Sequence, residues 1–110
     1  MPVSPPEINI NIQNKLKKYI IDLKNAVNQT HVDGSVEIVG YLRNGLGAKI
    51  EITNLEQIEN EDINFWQNLA YDTGAQHVNF IADFGAGKIT FNVEYKRPFT
   101  PTKYCEWLIY

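Results

Sequence analysis

The stretch Phe84-Gly85-Ala86-Gly87-Lys88-Ile89-Thr90-Phe91 places two glycines before a lysine, with a threonine two positions later. Glycines ahead of a lysine are what a phosphate-binding loop uses, because backbone N–H groups and the ammonium together cradle an anion. Two residues and one element speak against that chemistry. The pattern G-x-x-x-x-G-K-[ST] anchored on Gly87 and Lys88 needs glycine at position 82 and serine or threonine at 89, where Ala82 and Ile89 stand. It also needs a helix after the lysine, so that N–H groups point at phosphate, whereas Ile89, Phe91 and Val93 alternate with polar residues as a strand does. The stretch therefore reads as the tip of a hairpin, with a glycine in a left-handed conformation.

The other residue types that do chemistry are sparse. His31 and His77 are the only histidines, each beside a valine at an element boundary, and no H-x-x-x-H or C-x-x-C spacing exists for a metal. Cys105 is the only cysteine, which excludes an internal disulfide and a cysteine metal cluster. No G-x-S-x-G or cysteine–histidine arrangement supports nucleophilic catalysis. Asp72, Asp83 and Glu94 would do acid–base work only if the fold gathered them, and the expectation is that they are solvated. These readings lead to no catalytic group, no metal and no cofactor, and to a chain that is not an enzyme.

Charge carries the sharper signal. Between Lys49 and Lys88 there is no Lys or Arg, while Glu51, Glu56, Glu59, Glu61, Asp62, Asp72 and Asp83 all fall there. That span holds seven of the thirteen acids and none of the ten bases, so it is strongly acidic inside a chain whose net charge is only −3. Such a field steers encounter with a cationic partner. Phe65, Trp66 and Tyr71 lie in the same span, and aromatic anchors within a charged rim are what tight interfaces use. Glu56, Glu59, Glu61 and Asp62 are the expected electrostatic contacts. Trp66 and Tyr71 are candidate anchors, and Asp72 and Asp83 outer contributors. The acidic balance argues against a nucleic-acid partner. No apolar run approaches the ~20 residues that span a membrane, and the first residues, MPVSPPEINI, lack a basic start and apolar core. The chain is accordingly expected to act in the cytoplasm and away from membranes.

The elements that must position these residues follow from periodicity. At 110 residues the chain has room for one domain with one core, 1–110. Ser4, Pro5 and Glu7 have the spacing of a capped helix start. Ile8, Ile12, Leu16, Tyr19, Ile20, Leu23 and Val27 recur by three and four, which predicts a helix over 5–28. Residues 36–43 alternate as a strand, Asn44-Gly45-Leu46-Gly47 turns, and Ala48, Ile50 and Ile52 return. Asn60 is the expected cap of a second helix, with Ile63, Trp66, Leu69 and Ala70 inward and Gly74 as its stop. One of Phe65 and Trp66 must then point away from that helix's buried stripe. Residues 78–84 and 88–95 form the clearest hairpin, with Phe84 on the strand face of Val78, Phe80 and Ala82, and 104–110 would be a fifth strand. The predicted fold is α+β, in the order α-β-β-α-β-β-(β). It has an antiparallel sheet of four to five strands, a long N-terminal helix and a shorter second one.

A small acidic α+β chain with the segment FWQNLAYDTGAQHVNFIADFGAGKITFNVEYKR resembles the small immunity proteins of bacterial contact-dependent growth inhibition and polymorphic toxin systems. The resemblance covers residues 36–97 and rests on size, element order and a tryptophan followed by a hairpin. It implies a protein that binds a cognate toxin domain, often a nuclease, and blocks its active site. Nucleases tend to be basic because their substrate is polyanionic, so an acidic face would mimic that substrate's charge. Two other readings remain open. One is a small-molecule-binding or enzymatic domain with a pocket between sheet and long helix, lined by Tyr19, Tyr41 and Phe91. The other is an adaptor subunit that oligomerises through an edge strand.

Overall fold

The computed structural model describes residues 10–43 and 45–96. The helix start at Ser4–Glu7, the turn residue Asn44, Cys105 and the fifth strand at 104–110 lie outside the described residues.

The first helix, α1, is Ile10–Thr30. Its buried residues are Ile12, Leu16, Tyr19, Leu23, Ala26 and Val27, one stripe at helical spacing. Ile20 is half-buried at the stripe's border. Four strands follow around a second helix: β1 Ser35–Tyr41, β2 Gly47–Thr53, α2 Asn60–Asp72, β3 Ala75–Asp83 and β4 Lys88–Tyr95. The sheet order is β1-β2-β4-β3, antiparallel throughout, so the two hairpins lie side by side with β2 against β4. Among the described residues the sheet thus has four strands and two outer edges, β1 and β3. The α+β class and the element order agree with the sequence reading.

Strand alternation gives the sheet two unlike faces. Val36, Ala48, Ile50, Ile52, Val78, Ile89, Phe91, Val93 and Tyr95 join the buried stripes of α1 and α2 in one core. On the other face Glu37, Val39, Lys49, Asn79 and Ile81 are exposed. Past the bulge in β1, Tyr41 is opposed by Ala48 and so returns to the core face, where it is exposed at the sheet edge, while Tyr19 and Phe91 are fully buried. Tyr19 and Phe91 are thus packed into the core and present no surface to the pocket that the small-molecule reading would need.

Two local expectations are corrected. The N-cap of α2 is Glu59, with no side-chain cap bond, and Asn60 is the first helical residue. Glu61 and Asp62 still fall in the first turn, where the helix dipole favours negative charge. Phe84 belongs to the four-residue turn 84–87 and not to a strand face; it is exposed. Gly87 is the turn glycine with positive φ, at 62°. A Cβ there would run into the Leu55 carbonyl, and the Leu55 N–H donates to Gly87 O at 3.1 Å. The lysine that ends the apparent phosphate motif opens β4.

The Tyr19 hydroxyl donates to the Trp66 carbonyl at 3.1 Å inside the core, joining α1 to α2. Burial raises the pKa of Tyr19 far above the usual tyrosine value, and the neighbouring Tyr95 adds to the rise. Tyr95 is raised as well, chiefly by burial, with its hydrogen bond to Thr73 acting the other way. With folded values above the unfolded value near 10, the unfolded chain loses these protons first. The stability these groups provide is thus complete below about pH 10 and is lost as pH rises above it. Urea midpoints measured from pH 8 to 11 should fall on the alkaline side. Tyr19→Phe should flatten that fall while lowering the stability at neutral pH by about 1–2 kcal/mol, because the Trp66 carbonyl loses its donor.

Candidate protein-interaction site

The C-terminal end of α1 meets the N-terminal end of α2 and the connection 54–59 at one end of the molecule. Two adjoining grooves form there. One, of about 310 Å³, is walled by Thr30, His31, Glu56, Gln57, Glu59 and Asp62. The other, of about 260 Å³, lies between the helices against Glu61, Asp62, Phe65 and the edge of Trp66. They share Thr30 and Asp62, and neither wall contains a Lys or Arg. Glu56, Glu59, Glu61 and Asp62 are therefore brought together on one surface.

The connection that carries Glu56 and Glu59 is anchored at several points. Leu55 is buried in the core and bonded through its N–H to the β3–β4 turn. Ile58 packs partly on the core. Between them, His31 Nε2 lies 2.6 Å from the Gln57 carbonyl oxygen. A carbonyl only accepts, so Nε2 carries the proton and donates it. Thr30 Oγ1 is 2.8 Å from Nδ1 and satisfies the other ring nitrogen. The imidazole also stands edge-on to Trp66, with centroids 5.7 Å apart. His31 thus ties the acidic connection to the end of α1 and to the core, which restrains the backbone that carries the carboxylates.

Backbone electrostatics add to the side chains. The last turn of α1 contains no basic residue, so its free carbonyls contribute negative potential next to the grooves. The basic residues of α1 stand outside the two groove walls; Lys24, the one nearest Thr30 in sequence, is six residues before it, or about 9 Å at the helical rise. Lys15 sits with its ammonium 5.7 Å from the centre of the Tyr95 ring.

The remaining expected contacts are distributed differently. Trp66 is a core residue, 1% exposed, and cannot serve as a surface anchor. Phe65 is the outward aromatic of the pair, 54% exposed and in the wall of the second groove. Tyr71 and Asp72 are exposed at the far end of α2, about 16 Å along the helix from Glu61. Asp83 ends β3 opposite Lys88, and its Oδ1 accepts from the Ala86 N–H at 3.0 Å. Glu94 pairs with His77 at the other end of that ladder, about 20 Å from Asp83 at the strand rise, so Asp83 and Glu94 do not form a carboxylate pair. Sequence reasoning missed the place of His31 in the groove wall; its only sequence signal was its position at the end of α1.

No protein-family model, curated protein or solved structure matches this chain. No helix among the described residues is long and apolar enough to cross a membrane.

Proposed function

We propose that this chain is an inhibitory binding protein of the immunity type, which captures a basic, nuclease-type toxin domain through its acidic end. The observation that carries the reading is the convergence of Glu56, Glu59, Glu61 and Asp62 on two adjoining grooves whose walls contain no Lys or Arg. The grooves have room for lysine or arginine side chains, and carboxylates bind guanidinium groups through charge-assisted hydrogen bonds. Phe65 offers an apolar surface beside them, on which an arginine stem or guanidinium can stack. Trp66 supports this surface from beneath and makes no contact of its own with the partner. Tyr71, Asp72 and Asp83 lie outside the primary contact in this reading.

The direct test is co-expression with the toxin domain encoded by a neighbouring reading frame. Cells carrying both survive and the two proteins co-purify; a Phe65→Ala, Glu59→Lys double variant lowers protection while remaining folded. Full protection by that variant would place the interface elsewhere on the molecule.

A further inference from the structure

The two outer strands of the sheet are guarded unequally. β1 has a bulge between Ile38 and Gly40 and carries Glu37, both devices that discourage pairing with another chain. β3, Ala75–Asp83, is irregular only between Ala75 and His77, and its sequence AQHVNFIAD contains no lysine and no proline. Phe80, Ile81 and Phe84 are all exposed along it or just after it, Ile81 at 70%.

The hydrogen-bond phase shows which groups that edge presents. The Tyr95 N–H donates to Leu46 O, so Tyr95, Val93, Phe91 and Ile89 face β2 and the residues between them face β3. In an antiparallel ladder the opposed residues exchange both bonds. Glu94, Asn92 and Thr90 are opposed by His77, Asn79 and Ile81. The N–H and C=O groups of Val78, Phe80 and Ala82 therefore point outward. The Val78 carbonyl is met by Gln67 Nε2 of α2 at 3.4 Å, a long bond that leaves its second lone pair open.

We propose that this edge pairs with the same edge of a second copy, antiparallel across a twofold axis at Phe80. That register sets Phe80 against its counterpart and Val78 against Ala82. It sets Asn79 against Ile81 and His77 against the carboxylate of Asp83. A shift of the axis to Asn79 would instead oppose Asp83 to Ala75 and leave it without its complement. The Phe80 register thus joins apolar to apolar on the helix side and complementary polar groups at both ends of the open side. The paired strip is small beside the roughly 800 Å² per partner of a standard interface. Association is accordingly weak, and it extends the four-stranded sheet to eight strands. The site is separate from the acidic grooves and does not depend on their function.

Sedimentation velocity of the full chain between about 5 and 500 µM tests this. The expected result is a monomer at the low end and a dimer at the high end, with Ile81→Lys monomeric throughout. Ile81 is exposed, so that variant keeps its fold, which its far-UV spectrum checks. In a Cys105→Ser background, Asn79→Cys mixed with Ile81→Cys should form a crosslinked dimer that neither gives alone. The register brings those Cα atoms to ~4.5 Å, and identical positions stay beyond disulfide reach. A wild-type monomer at every concentration would leave the edge for another protein's strand and overturn the proposal. A dimer indifferent to Ile81→Lys, or self-crosslinking at 79 or 81, would overturn it as well.

Discussion

Replacing Trp66 with alanine is expected to cost the fold about 3–5 kcal/mol, whereas Phe65→Ala changes stability by less than ~0.5 kcal/mol. The two aromatics are neighbours in sequence and opposites in role. Trp66 is 1% exposed and is the largest fully buried side chain among the described residues. Its ring supports His31 and its carbonyl holds the Tyr19 hydroxyl. Truncation leaves a cavity between α1, α2 and the sheet and removes the support beneath the acidic connection. A loss of that size is a large part of the ~5–15 kcal/mol that holds a domain together. Urea unfolding of both variants, followed by far-UV circular dichroism, measures the difference. Trp66→Ala within about 1 kcal/mol of wild type would contradict the placement of this residue in the core.

The choice between these two aromatics marks how far the sequence reaches. Ile63, Trp66 and Ala70 share a helical phase, and that phase already assigned Trp66 inward and required an outward neighbour. Its use as an anchor conflicted with its own periodicity, and packing decides for the core. The stripe of α1 was legible for the same reason: 21 residues give enough turns for a period of 3.6 to outweigh the short strand-like alternation at its start. The β3–β4 hairpin was legible from alternation on both sides of a glycine turn. The placement of Phe84 was not, because alternation alone does not say where a strand gives way to its turn.

Long-range arrangement was much less legible. Nothing in the local pattern of β1–β2 and β3–β4 specifies that β2 and β4 adjoin, so the exposure of β3 as an edge could not be read from sequence. The acidic span was visible as a run without Lys or Arg. Only the fold divides it, gathering Glu56, Glu59, Glu61 and Asp62 at the helix junction while sending Asp72 to the far end of α2. His31 joins the first group across 26 residues of sequence through its bond to Gln57, a contact no spacing rule announces.

The second large effect concerns the grooves. Glu59→Lys combined with Asp62→Lys turns two of the four carboxylates into cations, a change of +4 in local charge. Glu59 is exposed and Asp62 half-buried, so the core is untouched. The lysine at 62 faces the positive end of α2 and costs about 0.3–1 kcal/mol of stability, far less than the core truncation. On association with a basic domain the effect is much larger, because long-range attraction becomes repulsion. Steering by complementary charge raises association rates by roughly 10–1000-fold, and it weakens as ionic strength shortens the Debye length from about 30 Å at 0.01 M to 8 Å at 0.15 M.

The association rate constant with the basic toxin domain, measured by stopped flow from ~0.01 to 0.5 M salt, tests the central claim most directly. Wild-type protein should associate fast at low salt and slow steeply as salt rises. The Glu59→Lys, Asp62→Lys variant should be at least ~10-fold slower at low salt, with a flat or inverted salt dependence. Equal rates and equal salt slopes for the two proteins would contradict the assignment of this end of the molecule as the binding surface.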